Sequence, residues 1–364
     1  MPIHQSPRAA AGGYLNISGS IGQDGGLTWQ KAVYRGYTDA TFSNQTEQLP
    51  GDGINGPTLR AEVNDMIQIL FVNNLESHYA SMHSMGLYYG KQYEGSLYPN
   101  TTTGESPKVQ EQDAVPPGGC AVYKWIVSES QAPAKGQDSR LWSYHSYVNM
   151  ASDITAGLVG PTIVYNQGKM ADVRAGNREI VLNYATFYEA QSFLAEKNAE
   201  LAGLSGLQTR GGLVGGPHVG NESFWVPQLT NNPSVVLSDA QGPIFYTLNG
   251  YVLGNGYAYE MCRNDPVIWY IMSYGNYAHV FHMHGNNFQV NGPDAPWQAA
   301  MSLNVGEMFT LTMNAQLPGI WQVICHVAQH LVFGMEQNYQ VHEIEEFGGS
   351  CPLPPLTQKL SGSP

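Results

Sequence analysis

Trp321-Gln322-Val323-Ile324-Cys325-His326-Val327 repeats, position for position, an earlier stretch of the same chain, Trp142-Ser143-Tyr144-His145-Ser146-Tyr147-Val148. A second pair of segments carries the same message. Asn64-Asp65-Met66-Ile67-Gln68-Ile69-Leu70-Phe71 leads to His83-Ser84-Met85-Gly86, and Asn264-Asp265-Pro266-Val267-Ile268-Trp269-Tyr270-Ile271 leads to His282-Met283-His284-Gly285. A domain has been duplicated. Both copies read as short β-branched and aromatic runs between Gly, Pro and Asn turns, as in Glu179-Ile180-Val181-Leu182-Asn183-Tyr184 and Phe309-Thr310-Leu311-Thr312-Met313. That is the pattern of an all-β protein made of tandem Greek-key β-sandwiches.

The boundaries follow from the repeat. Residues 1–166 form the first domain, 167–178 a linker at the polar run Asn166-Gln167-Gly168-Lys169-Met170-Ala171-Asp172, 179–347 the second domain, and 348–364 a tail. Helical periodicity is largely missing; the stretch Phe187 to Leu204 predicts a short helix before a Gly-rich insertion from Gly203 to Gly220. Insertions of that length are mobile surface loops or lids over sites.

With 364 residues there is ample core for two domains, and charged residues make up only 12% while Gly (41), Pro (22) and Tyr (22) abound. A net charge of -13, without Lys or Arg clusters, argues against nucleic acid or an anionic membrane as partner. No apolar run is long enough to span a bilayer. The start, Met1-Pro2-Ile3-His4-Gln5, lacks the apolar core of a signal peptide, which leaves a cytosolic protein or one whose signal segment has been removed. Sequons at Asn16, Asn44, Asn100 and Asn221 tilt the reading toward a secreted glycoprotein, its signal peptide absent from the sequence.

The chemistry-bearing residues sit in the second domain. Cys325, His330 and Met335 follow one another at five-residue intervals, and His279 opens the upstream run His279-Val280-Phe281-His282-Met283-His284-Gly285. Two imidazoles, a thiolate and a distant thioether are what type 1 (blue) copper requires, because soft sulfur ligands favour Cu(I) while imidazole serves both oxidation states. Any one of these residues alone reads better as core; all four in this order read as a metal site. With Cys325 so engaged, Cys120, Cys262 and Cys351 remain, an odd number that allows at most one intrachain disulfide and does not say which.

The chain resembles the ceruloplasmin and multicopper oxidase family, built from cupredoxin domains. The resemblance rests on the copper motifs and on Lys31 to Phe42, Tyr93-Glu94-Gly95-Ser96-Leu97-Tyr98-Pro99 and Ala156-Gly157-Leu158-Val159-Gly160-Pro161, which are similar to segments flanking those motifs in ceruloplasmin repeats. It covers nearly the whole chain and implies two cupredoxin-like domains. Family members that reduce dioxygen to water hold three coppers with four His-x-His pairs; here the pairs read His83/Met85, His145/Tyr147, His282/His284 and Ile324/His326. The resemblance implies that His83 and His282 would serve a type 2 copper, that Met85, His145 and His326 would serve one type 3 copper, and that Tyr147, His284 and Ile324 would serve the other. A lone imidazole beside a phenol and an aliphatic chain is no metal cage, so the second type 3 position is expected empty and four-electron reduction absent. A second, non-blue copper held by some of His83, His145, His282, His284 and His326, or no metal at all, are both open.

In the first domain the repeat puts Ala80, Ser146, Asp153 and Leu158 opposite His279, Cys325, His330 and Met335, so no type 1 copper is expected there. Gln110 and Asp113 fall where ceruloplasmin has a calcium loop, but Ala114 replaces an acidic residue and calcium is not expected. Two functional classes follow. One is a copper oxidoreductase in which a small organic or metal-ion substrate gives an electron through an exposed edge of His330, with His83, His145, Tyr147, His282, His284 and His326 lining an interface that in two-domain relatives is commonly closed as a symmetric homotrimer. The other turns the interdomain cavity to non-redox work. That work is binding a partner, as blood-clotting A domains do, or cyclisation or addition on a small apolar molecule, with His, Tyr and Met as acid, base and shape-determining groups.

Overall fold

The computed structural model describes residues 13–17, 27–98, 111–201, 209–211, 223–225, 236–238, 242–254 and 256–353. The sequons at Asn100 and Asn221, Gln110, and most of the Gly-rich insertion lie outside them. The first half holds a four-stranded sheet in the order Leu59–Glu62, Val159–Tyr165, Ser139–His145, His83–Met85, packed against the pair Met66–Val72 and Cys120–Ile126. The second half repeats this at larger size. A five-stranded sheet runs Tyr259–Cys262, Glu336–His342, Gly319–Cys325, His279–Met283, Ala300–Leu303. Facing it, a seven-stranded sheet includes Gly242–Leu248, Arg178–Tyr188, Pro266–Tyr274 and Met308–Asn314. Alternation decides what faces inward: Ala121, Tyr123 and Trp125 on one strand, and Gln337, Tyr339 and Val341 on another, are buried while their neighbours are not.

The duplication is preserved to the level of single backbone pairs. His83 lies opposite His145 as His282 lies opposite Ile324. Ser143 pairs with Pro161 as Gln322 pairs with Asn338. The parallel pair Leu59 and Thr162 recurs as Tyr259 and Tyr339, and Met66 with Ile126 recurs as Pro266 with Asn314. Because a one-residue slip would turn every side chain to the wrong face, this shared register means that equivalent residues of the two halves occupy equivalent faces. The left-handed Gly86 and Gly285 sit at the same turn, each under an equivalent tryptophan: an added Cβ would lie 2.1 Å from the Trp142 ring and 2.7 Å from that of Trp321.

A third apolar cluster joins the halves. Leu141, Ile163 and Tyr165 from the outer face of the first four-stranded sheet pack on Ile268, Tyr270 and Met272 from the seven-stranded sheet. Glu179 anchors this contact, accepting from Arg60 Nη1, Tyr165 OH and Tyr270 OH, each at 2.7 Å. The equivalent faces elsewhere are open. Ile320, the counterpart of Leu141, is 68% exposed where Leu141 is 1%, and Leu70, the counterpart of Tyr270, is 41% exposed where Tyr270 is fully buried.

Three local expectations are refined. The helix predicted over Phe187 to Leu204 begins at Ala195 and is described as Ala195–Leu201, residues 202–204 lying outside the described residues; Phe187 and Tyr188 continue the strand and pair with Phe245 and Ile244. The polar run expected as linker contains the helix Met170–Gly176. Cys262 and Cys351 form a disulfide, while Cys120 is an exposed thiol and Cys325 a buried one.

Gly285→Ala should cost about 1–3 kcal/mol, from a left-handed φ and the Trp321 contact together, whereas Gly176→Ala, with open space around it, should be neutral or slightly stabilising. Urea denaturation of the two variants measures the difference; equal midpoints would show that the turn does not constrain the fold.

Candidate metal centre

The strand Gly319–Cys325 ends at Cys325, and the chain returns through the short helix Ala328–Val332 to Met335 and the next strand. Two backbone bonds close this loop at its base: Cys325 N–H donates to Met335 O at 2.9 Å, and Met335 N–H donates to His330 O at 2.9 Å. His279 comes from the neighbouring strand, whose next-but-one residue, Phe281, pairs with Cys325. The result is a buried triangle. His279 Nδ1 lies 3.1 Å from His330 Nδ1, and Cys325 Sγ lies 3.4 Å from His330 Nδ1 and 3.8 Å from His279 Nδ1. A trigonal metal with bonds of about 2.0 Å to nitrogen and about 2.3 Å to sulfur would set nitrogens about 3.5 Å apart and nitrogen and sulfur about 3.7 Å apart. The triangle fits that to within a few tenths of an ångström.

Its electrostatics suit a cation. Burial, aided by the neighbouring His330, pushes the His279 imidazole down to about 3, and burial pushes His330 down to about 4, so both are neutral ligands at ordinary pH. Burial pushes the Cys325 thiol up, so it needs a metal to become thiolate. The Val280 N–H points at Cys325 Sγ at 3.5 Å. Met335 is fully buried in the same core cluster as Cys325 and Phe281.

The first half keeps the loop and discards the ligands. Ser146 N–H donates to Leu158 O and Leu158 N–H to Asp153 O, the same two bonds one repeat earlier. Inside, the Asp153 carboxylate accepts from Ser146 Oγ at 2.6 Å and from the Val148 and Asn149 N–H groups at 3.1 and 3.0 Å, and Ala80 is buried. Burial raises the Asp153 pKa to about 7.

The histidines expected at an interface form two separate groups. His83 Nδ1 donates to Glu94 O and His145 Nδ1 to Ser146 O, both at 2.8 Å, while the Tyr147 ring lies 5.1 Å from His83 and 5.6 Å from His145. Burial pushes both imidazoles down, His145 to about 4, and each keeps a free Nε2 lone pair. In the other group His282 Nδ1 donates to Ala299 O at 2.7 Å, and its ring lies 5.2 Å from those of His284 and His326. Among the described residues no hydrogen bond or ring contact joins the two groups, and His279, Cys325 and His330 are the only cluster of three metal-ligating side chains apart from the disulfide pair with Asp265.

The multicopper oxidase pattern matches this chain at residues 35–169 and again at 228–344.

The chain belongs to the multicopper oxidase family.

Curated relatives include ferroxidase HEPHL1 of Mus musculus, 33% identical over 91% of this chain and 26% of that protein, and ceruloplasmin of Homo sapiens, 29% identical over 87% of this chain and 28% of that protein. The chain thus spans about a quarter of the length of these relatives. Among solved structures, a blue copper oxidase from Nitrosomonas europaea aligns over 96% of this chain and 88% of its own at a TM-score of 0.57, with 17% identity, which supports the cupredoxin-like β-sandwich fold.

For a multicopper oxidase relative, one expectation needs correction. His330 offers no exposed edge: it is 3% exposed, because Tyr246 stacks on it at 4.5 Å and Tyr277 lies 5.7 Å away. Tyr274 also escaped the sequence reading. Its hydroxyl bonds Ser143 Oγ and points at Met85 Sδ at 3.4 Å, and its ring packs edge-on against His145. Only the high Tyr content of the chain hinted at these contacts.

Without copper, the buried histidines make the fold acid-sensitive. Unfolded imidazoles take up protons near pH 6.5, whereas His279 and His330 do so only near 3 and 4 when folded, so the unfolded state binds more protons between those values. Stability of the copper-free protein should therefore be full above about pH 6.5 and fall as the pH drops toward about 4. Melting curves across that range should be flattened by the double substitution His279→Gln with His330→Gln; an unchanged slope would mean that other groups govern it.

Proposed function

We propose that this protein is a copper oxidoreductase in which His279, Cys325, His330 and Met335 hold one type 1 copper, and which does not carry out four-electron reduction of dioxygen to water. The buried triangle of two imidazole nitrogens and one thiol sulfur carries the reading: two neutral imidazoles and a thiol converge in an apolar core at close to the spacing of a trigonal metal site. A bound copper would supply one-electron redox chemistry there. The chain's own residues supply a dry, neutral ligand set and, through the bonded pair Cys325 and His326, a covalent path toward the surface.

Met85, Tyr147 and Ile324 stand where the family's trinuclear site has imidazoles, which supports the loss of the full cluster. The free Nε2 atoms of His83, His145 and His282 leave room for a second, non-blue copper if the two histidine groups meet between chains. A head-to-tail contact would bring chains together in that way. The open face carrying Ile320 and His282 is the counterpart of the face that the first half buries, and the open face carrying Leu70 is the counterpart of the one that receives it. Repeating the internal contact between chains closes a ring, here a homotrimer. A small organic or metal-ion reductant is the substrate class. The Cys262–Cys351 disulfide and the exposed sequon at Asn44 favour secretion.

Reconstituted with Cu(II), the protein should bind one tightly held copper per chain with intense visible absorption that Cys325→Ser abolishes, and an oxygen electrode should record no laccase-like turnover of phenols, diamines or Fe(II). A colourless protein would promote the non-redox reading. Water-producing turnover would show that the substituted cluster still works.

Light scattering should give the mass of three chains, and Ile320→Asp should reduce it to that of one. A wild-type monomer would remove the ring and the second copper together.

A further inference from the structure

Two Asn-Gly dipeptides from opposite halves hold each other in one buried network. Asn55-Gly56 lies in the first half and Asn249-Gly250 in the second, and Asn55 Nδ2 donates to Asn249 Oδ1 at 2.9 Å. Asn183 joins them: its Nδ2 donates to Asn55 Oδ1 at 3.0 Å and its backbone N–H to Asn249 Oδ1 at 2.6 Å. Asn249 Nδ2 donates to Gly51 O at 2.7 Å and to Val181 O at 2.8 Å, so this one side chain bonds the backbone of both halves. All three asparagines are at most 1% exposed.

The backbone requires the second dipeptide. Asn249 and Gly250 are the central residues of a tight turn, closed by Leu248 N–H to Tyr251 O at 3.0 Å and Tyr251 N–H to Leu248 O at 2.9 Å, and both have positive φ, 53° and 85°. Asn-Gly is the pairing that such a turn favours. The first half is seated on this turn: Ile54 N–H donates to Asn249 O at 3.1 Å, and an added Cβ at Gly250 would lie 2.8 Å from Ile54. The same dipeptide is chemically labile, because glycine sets no side chain in the way of its own nitrogen. That nitrogen attacks the asparagine side-chain carbonyl carbon, ammonia leaves with the amide proton as a succinimide closes, and water reopens the ring to aspartate or isoaspartate. In the folded chain both asparagines are held back from it. Turning the Asn249 side chain toward the Gly250 nitrogen would break its bonds to Gly51, Val181, Asn55 and Asn183, and the Gly56 N–H is itself engaged by Val159 O at 2.8 Å.

We propose that Asn55 and Asn249 are deamidation sites protected by the closed contact between the halves, and that deamidation of Asn249 makes an opening of that contact irreversible. A carboxylate at residue 249 would face Gly51 O and Val181 O with no proton to donate, in a site that supplies no cation to it. Isoaspartate would add a methylene to the two-residue turn and spoil its closure. The chain that opens, reacts and tries to close again is then a different molecule, which is how chemical modification of an open state turns a reversible equilibrium into a one-way loss. This holds whichever metal the second half carries.

The test incubates the full chain in mildly alkaline buffer, with and without denaturing urea, and follows residues 55 and 249 by peptide mapping with mass spectrometry. Without urea both should deamidate at least about tenfold more slowly, since reaction then waits on opening of the contact. When urea is removed and folded chains are separated from misfolded ones by size exclusion, the folded fraction should be depleted in product at residue 249 and the misfolded fraction enriched. Asn249→Asp should melt several degrees below the wild type, with a larger deficit at mildly alkaline than at mildly acidic pH; if that variant does not fold, the two fractions of the wild type decide. Deamidation at residue 249 as fast in the folded chain as in urea, product spread evenly between the two fractions, or an Asn249→Asp chain that melts with the wild type overturns the proposal.

Discussion

The structure of the candidate metal centre depends on two backbone hydrogen bonds at the base of one loop, from Cys325 N–H to Met335 O and from Met335 N–H to His330 O. They extend the pairing of Ile324 with Glu336 and fix where the side chains of residues 325, 330 and 335 emerge. Because the same two bonds recur between Ser146, Leu158 and Asp153, the clamp belongs to the fold and not to the metal. The side chains alone decide what it encloses. A thiol and an imidazole leave two potential ligands aimed at a third from the next strand, whereas a hydroxyl and a carboxylate bond one another at 2.6 Å. Removing the Asp153 carboxylate would strand a buried hydroxyl and two N–H groups, each costing about 1–3 kcal/mol when left unpaired. The first half encloses a hydrogen-bonded core where the second half gathers a thiol and two imidazoles.

The same logic governs how the halves meet. Shared register places Leu141 and Ile320 on equivalent faces, yet one is sealed and the other bare. Two sandwiches joined head to tail necessarily leave one donor face and one acceptor face uncovered. Glu179, Arg60, Tyr165 and Tyr270 show what polar complement the sealed contact requires, since a carboxylate buried among apolar side chains persists only when its oxygens are supplied with donors.

The duplication, the sandwich class and the grouping of His279, Cys325 and His330 were legible in the sequence because each is written as a local pattern: strands of period two, and chemistry-bearing side chains at fixed offsets. What stayed illegible came from residues far apart in the chain. Tyr246 and Tyr277 reach His330 from two other segments, 242–248 and 274–279, and nothing in the spacing around Cys325 announces them. The helix predicted over Phe187 to Leu204 failed at its start for a related reason, since cross-strand pairing with Phe245 and Ile244 outweighed local propensity. Cysteine arithmetic allowed one disulfide, and only the fold, by bringing Cys351 back beside Cys262, chose the pair.

Met85 ties the altered histidine set to the packing of the halves. Its thioether accepts the Tyr274 hydroxyl at 3.4 Å and lies against the apolar cluster that contains Met272 and Leu141. An imidazole at this position would bring two polar nitrogens into that cluster, each needing a partner, whereas a thioether is a weak acceptor that needs none. Tyr274 in turn is held by Ser143 and by the edge of the His145 ring, so the contact that Met85 makes also positions His145. Met85, Tyr274, Ser143 and the His145 ring thus belong to one contact between the halves, and Met85→His would bring polar nitrogens into it and disturb the contact that orients His145.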